Sequence, residues 1–170
     1  MTRYLVLAFV IVLMGGGIAF GSDPPATPFG HFSNKEPVNI TSDRLEANDL
    51  SREVKFLGHV VTRQGDVVIY ADEMDLFYQK GSRDVERIEA LGDVRIVQGA
   101  RVATSQKGVY YRDEGRIVLT GSPSLHQGQD VVSGDRITFF LNDQRSIVES
   151  KEGSQVNATF LPQQQQEGKQ

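Results

Sequence analysis

The chain has 170 residues, 39% hydrophobic and 24% charged, with 18 basic against 22 acidic side chains and a net charge of −4. That is enough for one domain, and the acidic balance argues against nucleic acid as the main partner. Without cysteine there are no disulfides, Cys-ligated zinc, iron–sulfur clusters or thiol catalysis, and histidines only at 31, 59 and 126 are too scattered for a metal centre.

Met1-Thr2-Arg3 puts one positive charge ahead of the apolar run Tyr4 to Met14. Three glycines follow, then Ala19-Phe20-Gly21, with small residues placed for cleavage after Gly21. This is the grammar of a secretory signal peptide over residues 1–21. The competing reading keeps the segment as an anchor, since Tyr4 to Phe20 is mostly apolar. A spanning helix wants about 20 residues, and consecutive glycines are poor helix material. On both readings the body of the protein lies beyond a membrane. Cleavage removes one Arg and no acid, bringing the net charge from −4 to −5. Residues 22–37 hold four of the six prolines and read as a mobile arm. Residues 162–170 form a glutamine-rich tail that cannot bury anything. The folded unit is therefore expected over 38–161.

Within it, alternation of period two replaces any helical stripe. Val67, Ile69 and Ala71 run into Met74, Leu76 and Tyr78. Ile88, Ala90, Gly92, Val94 and Ile96 face one way and Glu89, Asp93 and Arg95 the other, while Ile137, Phe139 and Leu141 alternate with Thr138, Phe140 and Asn142. Turns of the form Gln64-Gly65-Asp66, Gln98-Gly99-Ala100 and Gln127-Gly128-Gln129 interleave with charged turns at 48–52, 80–84, 112–116 and 142–146. Gly, Asn and Asp supply the backbone angles that hairpin turns need. The result is a repeating unit of about thirty residues with two long strands in each. Most strands are broken near the middle, at Gly58, Ala71-Asp72, Gly92, Ser105, Gly121-Ser122-Pro123 and Gly134-Asp135. Glycine inside a strand marks a bend or bulge. Aligned breaks fold one wide antiparallel sheet on itself, into an all-β jellyroll of about sixteen short strands in two facing sheets, open at both ends. The simpler alternative is a plain β-sandwich.

Two consequences follow. The terminal strands, around Val38–Leu45 and Ile147–Phe160, carry unpaired backbone groups and invite strand addition, unless the arms cover them. Joining last strand to first is a head-to-tail contact that can grow. The slot between the sheets is lined by Leu45, Phe56, Val60, Ile69, Met74, Leu76, Ile88, Val94, Ile96, Val109, Tyr111, Ile117, Leu119, Ile137, Phe139 and Leu141. It is either an ordinary core or a groove for acyl chains, each buried CH₂ contributing about 0.8 kcal/mol.

Taken in order, Pro37-Val-Asn-Ile-Thr-Ser-Asp43, Val54-Lys-Phe-Leu-Gly-His-Val-Val61, Val68-Ile-Tyr-Ala-Asp72, Ile117-Val-Leu-Thr-Gly121, Gly134-Asp-Arg-Ile-Thr138 and Val156-Asn-Ala-Thr-Phe-Leu-Pro162 resemble the LptA/OstA family of periplasmic lipopolysaccharide-transport proteins. The resemblance covers about 125 residues. It implies an OstA-like β-jellyroll in the periplasm of a Gram-negative envelope, bridging the inner and outer membranes and stacking end to end. The expected partners are lipopolysaccharide, a membrane-anchored β-jellyroll component of an ABC transporter complex and the periplasmic domain of an outer-membrane translocon. It also implies acyl chains on Phe56, Val60, Ile69, Met74 and Leu76, with Val109 and Tyr111 aligned only to within one residue. Val38 and Ile40 match edge-strand contacts, and Val156, Ala158 and Phe160 are their expected counterparts at the other edge. No cofactor is expected, and the driving force would come from an inner-membrane ATPase.

Catalytic readings compete poorly with structural ones. Asp43, Asp72 and Asp135 recur at equivalent places, with Ser105 as the fourth, beside strand breaks where Asp bonds backbone amides. His59 and His126 lack a neighbouring Ser or Asp motif. Gly65, Gly99 and Gly128 are followed by no Lys-Ser/Thr and no helix, so they are no phosphate loop. Lys80, Arg83 and Arg87 suit lipid phosphates, but on an acidic chain they read as a solvated face. The expectation is a non-enzymatic lipid conduit. The alternatives are a membrane-anchored relative of the same fold (LptC-like) and a structural β-filament without cargo.

Overall fold

The computed structural model describes residues 36–161. The expected signal peptide, nearly all of the N-terminal arm and the tail from 162 lie outside the described residues. The described chain is antiparallel β-structure without a helix. Its strands are β1 (Asn39–Thr41), β2 (Arg44–Asn48), β3 (Glu53–Gln64), β4 (Val67–Tyr78), β5 (Val85–Gln98), β6 (Arg101–Tyr111), β7 (Arg116–Thr120), β8 (Ser124–Gln127), β9 (Asp130–Ser133), β10 (Arg136–Phe140), β11 (Arg145–Glu149) and β12 (Asn157–Thr159).

The four long strands, β3 to β6, each serve two layers. In one layer, Leu45, Phe56, Met74, Ala90, Gly108, Leu119, Ile137 and Val148 are successive cross-strand partners from β2 through to β11. In the other, Ile40, Thr62, Ile69, Ile96, Ala103, Leu125, Val132 and Ala158 run from β1 to β12 in the same way. Because directly opposed residues share a face, each row marks the inner surface of one layer. The folded-sheet reading therefore holds over the plain sandwich.

The fold between layers is built at the expected breaks. The ladder shifts register between Leu57 and Val60 and between Leu91 and Val94. Two residues on the bulged strand face one on its neighbour, and both take left-handed backbone: Gly58 (φ 76°) with His59 (45°), Gly92 (72°) with Asp93 (41°). Glycine leads each pair for a second reason. A Cβ at Gly58 would collide with the Asp43 carboxylate, and one at Gly92 with that of Asp72. The aspartates thus fill the space that the missing side chains leave. At the next corner Gly121 meets Gln106, so the equivalent of these aspartates is Gln106 and not the expected Ser105. Asp135 closes the series by accepting from the Lys151 amide at 2.8 Å and the Ser154 hydroxyl at 2.6 Å.

His59 Nδ1 lies 2.6 Å from Asp43 Oδ2 across the first corner. That hydrogen bond, followed by the attraction of the same carboxylate, raises the imidazole pKa above its ordinary 6.5. A raised folded-state pKa contributes stability below the unfolded value and loses it as pH climbs through the folded one. His59→Gln is expected to lower the thermal midpoint at about pH 5.5, with the difference fading by about pH 8. The pair is exposed, so the effect is small. Thermal melts at the two pH values check it, and a gap that widens with pH would contradict it.

The outer face of the first layer carries a cross-strand ladder of alternating rings and guanidinium groups: Phe77, Arg87, Tyr111, Arg116, Phe140 and Arg145 on six adjacent strands. Arg87 stands 4.1 Å over Phe77, Arg116 4.3 Å over Tyr111 and Arg145 4.4 Å over Phe140. Each such contact contributes about 0.5–1 kcal/mol at an exposed site. Next to it, Lys55 Nζ bridges Asp75 at 2.8 Å and Glu73 at 3.1 Å. Desolvation raises the Asp75 pKa, its hydrogen bond to Lys55 opposing the shift.

Candidate functional site

The two layers are not filled alike. Over β7 to β10 they close on each other: Leu119, Ile137 and Phe139 are 0% exposed, and Leu125 6%. Over β1 and β3 to β6 they stand apart around a cavity of about 510 Å³. Its lining is overwhelmingly aliphatic and aromatic, with Phe56, Ile69, Met74, Ile88, Ile96 and Tyr110 prominent and Thr62, Gln64 and Arg112 as polar members. Small Ala90 and Gly108, adjacent in the inner row, keep the floor low. A side chain at Gly108 would press on Leu119 and Val94. The volume falls within the range of about 300–1,000 Å³ typical of small-molecule sites.

Thr62 directs its hydroxyl to Met74 Sδ at 3.3 Å, so its polar atom is turned to a side chain and not into the cavity. Burial raises the Tyr110 phenol pKa, which keeps it neutral. Arg112 sits at one end of the cavity, 3.1 Å from Asp84. Among the described residues no Asp, Glu, His, Ser or Cys belongs to the lining. The arrangement offers no nucleophile–base pair, and among the described residues no group of three His, Asp or Glu is placed to hold a metal. What it can do chemically is remove hydrocarbon from water.

Of the residues expected inside, Phe56, Ile69, Met74, Leu76, Ile88, Val94, Ile96 and Ile117 line this cavity. Val60, Leu119, Ile137, Phe139 and Leu141 are buried outside it, most of them in the closed half. Leu45 is 57% exposed. It lies on the inner row beside Phe56, but β2 is an edge strand and, among the described residues, nothing stands opposite to cover it. Val109 also lines the cavity and is buried, although its cross-strand partners Glu89 and Val118 place it out of phase with the inner row. Tyr111 faces outward, under Arg116, and Tyr110 is the aromatic residue that reaches the cavity. Alternation skips a beat at Gln106, opposite the Gly92-Asp93 bulge, so inner positions change from Ala103 and Ser105 to Gly108 and Tyr110. Gly108 to Tyr111 contains no charged residue, and so gives no signal of that change. Val85 was likewise hidden beside a second irregularity at Phe77/Tyr78, whereas Tyr78 keeps the alternation of Met74 and Leu76.

The edges are as accessible as their strand order demands. Among the described residues β1 and β2 pair only with β3, β11 only with β10, and β12 only with β9. Val38 is 51% exposed, Val156 42% and Phe160 59%, and Ala158 is exposed as well, whereas Ile40 packs against the core. Of the other candidates, Arg87 is held by Phe77 and Glu89, His126 bonds Ser124 at 3.1 Å, and Arg83 lies on an exposed turn.

Residues 39–145 match the model of a family described as LptA/(LptD N-terminal domain) LPS transport protein. A protein of Rhizobium meliloti (strain 1021), named only as uncharacterized, is 30% identical over 139 residues, covering 77% of this chain and 74% of that protein. The lipopolysaccharide export system protein LptA of Escherichia coli (strain K12) is 27% identical over 138 residues, covering 78% of this chain and 75% of its own. The crystal structure of LptH from Pseudomonas aeruginosa, titled as the LptA homologous periplasmic component of a lipopolysaccharide transport device, superposes with a TM-score of 0.68. It covers 78% of this chain and 100% of that one at 18% identity, and so attests to the shared fold.

Proposed function

The chain belongs to the LptA/LptD N-terminal domain family of LPS transport proteins, and from that premise we propose that it is a periplasmic bridge that holds lipopolysaccharide acyl chains in its groove. In this reading it passes them from inner-membrane to outer-membrane components and catalyses no reaction. The observation that carries the reading is the unfilled apolar cavity of about 510 Å³ between layers that elsewhere close completely. A core evolved only for stability is packed to crystal-like density. Here about half the slot is, and the other half presents partly exposed Phe56, Ile69 and Ile88 to whatever enters.

A photo-crosslinking residue at Ile88, with a control at outward-facing Arg95, tests this in the mature protein within its native envelope. The expected result is a lipopolysaccharide adduct at Ile88 and none at Arg95. Adducts at neither, with transport running, would favour a structural β-filament without cargo.

The same reading has copies joining head to tail, and the two anchored neighbours, inner-membrane jellyroll and outer-membrane translocon, docking on the same edges. Each layer contains eight strands, an even number, so β11 of one copy meets β2 of the next antiparallel, and β12 meets β1 likewise. Continuing the inner rows across the junction fixes the register. Val148 falls opposite Leu45, Arg145 opposite Asn48 and Glu149 opposite Arg44 in one layer. Ala158 falls opposite Ile40, and Phe160 opposite Val38, in the other. Inner apolar residues meet apolar residues, and a carboxylate meets a guanidinium. Arg44→Glu and Glu149→Arg are each expected to weaken self-association about two- to fivefold, and the double exchange to restore it. Sedimentation measures this. Single and double variants that behave alike would exclude this register.

A further inference from the structure

The groove does not end in solvent alone. At the end where β4 and β5 turn, a second cavity of about 480 Å³ lies between the β2–β3 turn and the β4–β5 turn. Tyr78 lines both cavities. The first is almost wholly apolar, whereas the second is lined by Asn48, Asp49, Arg52, Glu53 and Arg83 along with Tyr78 and little else. Both turns are braced from within: Asn48 Oδ1 accepts from the Leu50 and Ser51 amides at 3.0 and 3.1 Å, and Ser82 donates to Asp84 at 2.7 Å. Asp84 in turn holds Arg112, the cation of the groove lining, at the same end.

The charges of this bay are unevenly satisfied. Glu53 is engaged by Lys55 at 3.3 Å. Lys55 is shared with Glu73 and Asp75, whereas among the described residues neither Arg52 nor Arg83 has a carboxylate partner, so two unpaired guanidinium groups stand in the bay beside the carboxylates of Asp49 and Glu53. Arg52 also holds left-handed backbone (φ 54°), a conformation that Gly or Asn adopts at less cost. Tolerated strain of this kind concentrates at binding sites. Guanidinium groups are the side chains best shaped for phosphate.

We propose that the bay seats the phosphorylated headgroup of the amphiphile whose chains occupy the groove, with Arg52 and Arg83 as its phosphate contacts and Arg112 at the boundary. This rests on the groove reading above and assigns the polar end of the same ligand. A molecule with hydrocarbon in the groove and its head at Tyr78 spans the two cavities without burying a charge.

The test uses the mature full-length chain and two glycolipids with identical acyl chains, one phosphorylated and one dephosphorylated, with inorganic phosphate as a third probe. Affinities are read by displacement of a fluorescent fatty-acyl reporter, or by calorimetry for phosphate. The phosphorylated lipid is expected to bind about ten- to a hundredfold more tightly than the other. Arg52→Asn combined with Arg83→Gln should remove that preference and leave the dephosphorylated lipid's affinity unchanged. Arg83→Glu alone, on an exposed turn that bears no packing, should do so with an unaltered thermal midpoint. Equal binding of both lipids by the unmodified protein, or an equal loss for both in the variants, would overturn the headgroup seat while leaving the groove intact. Inorganic phosphate bound alone as tightly as the phosphorylated lipid would overturn it in favour of a free-anion site. Binding of neither lipid would bring down the groove reading itself, and the headgroup seat with it.

Discussion

Ile69→Glu is expected to reduce lipid binding by at least about tenfold while leaving a folded protein. Ile69 sits mid-row in the second layer, between Thr62 and Ile96, and its side chain lines the groove while remaining only partly buried. In the empty groove a carboxylate there retains access to water, so its cost to folding is limited. Once acyl chains fill the space, the same carboxylate is stripped of water with no cation beside it. An unpaired charge in hydrocarbon costs several kcal/mol, and every 1.4 kcal/mol is tenfold in affinity. The penalty therefore falls on the bound state. Binding should recover in part as pH falls and the carboxyl is protonated, which a merely misfolded variant would not show. A variant that binds lipid like the unmodified protein at neutral pH, with a normal circular-dichroism spectrum, would remove hydrocarbon from this groove.

The division into an open and a closed half was not legible in the sequence. Strand periodicity, the Gln-Gly turns and the mid-strand glycines specified the folded sheet and all but one of the corner positions, Gln106 in place of Ser105, because each is a local requirement of backbone geometry. Ile69 and Ile137, by contrast, are the same residue in the same alternating context, yet one lines the groove and the other is 0% exposed. What separates them is how far apart the facing layers stand, a property of the whole ladder. The error at Tyr111 has a different origin. Face assignment along β6 depends on a bulge in the neighbouring strand β5, and no feature of β6 itself announces the change. Leu45 shows the third kind of gap. Its face was right, but an edge strand leaves that face uncovered.

Phe139→Ala should give the converse result: a large loss of stability with lipid affinity nearly unchanged in the protein that remains folded. Phe139 is 0% exposed, is the largest of the fully buried side chains and lies outside the groove lining. Its cross-strand partner Ile117 is 4% exposed, and the neighbouring inner row brings Leu119 and Ile137 beside it at 0%. Removing a buried phenyl ring costs its transfer energy plus the cavity left behind, about 3–5 kcal/mol. A domain of this size is stable by about 5–15 kcal/mol, and each kcal/mol moves the midpoint by about 3–4 °C, so a drop of roughly 10–20 °C is expected in a thermal melt. Phe56→Ala supplies the contrast. Its ring borders the groove and is only partly buried, so its truncation should lower the midpoint less and the lipid affinity more. The two substitutions remove the same atoms, so the difference between them reports where the ring stands. If both variants lost stability and binding in the same proportion, the slot would be one continuous core, and the closed half would have no separate role in holding the open half apart.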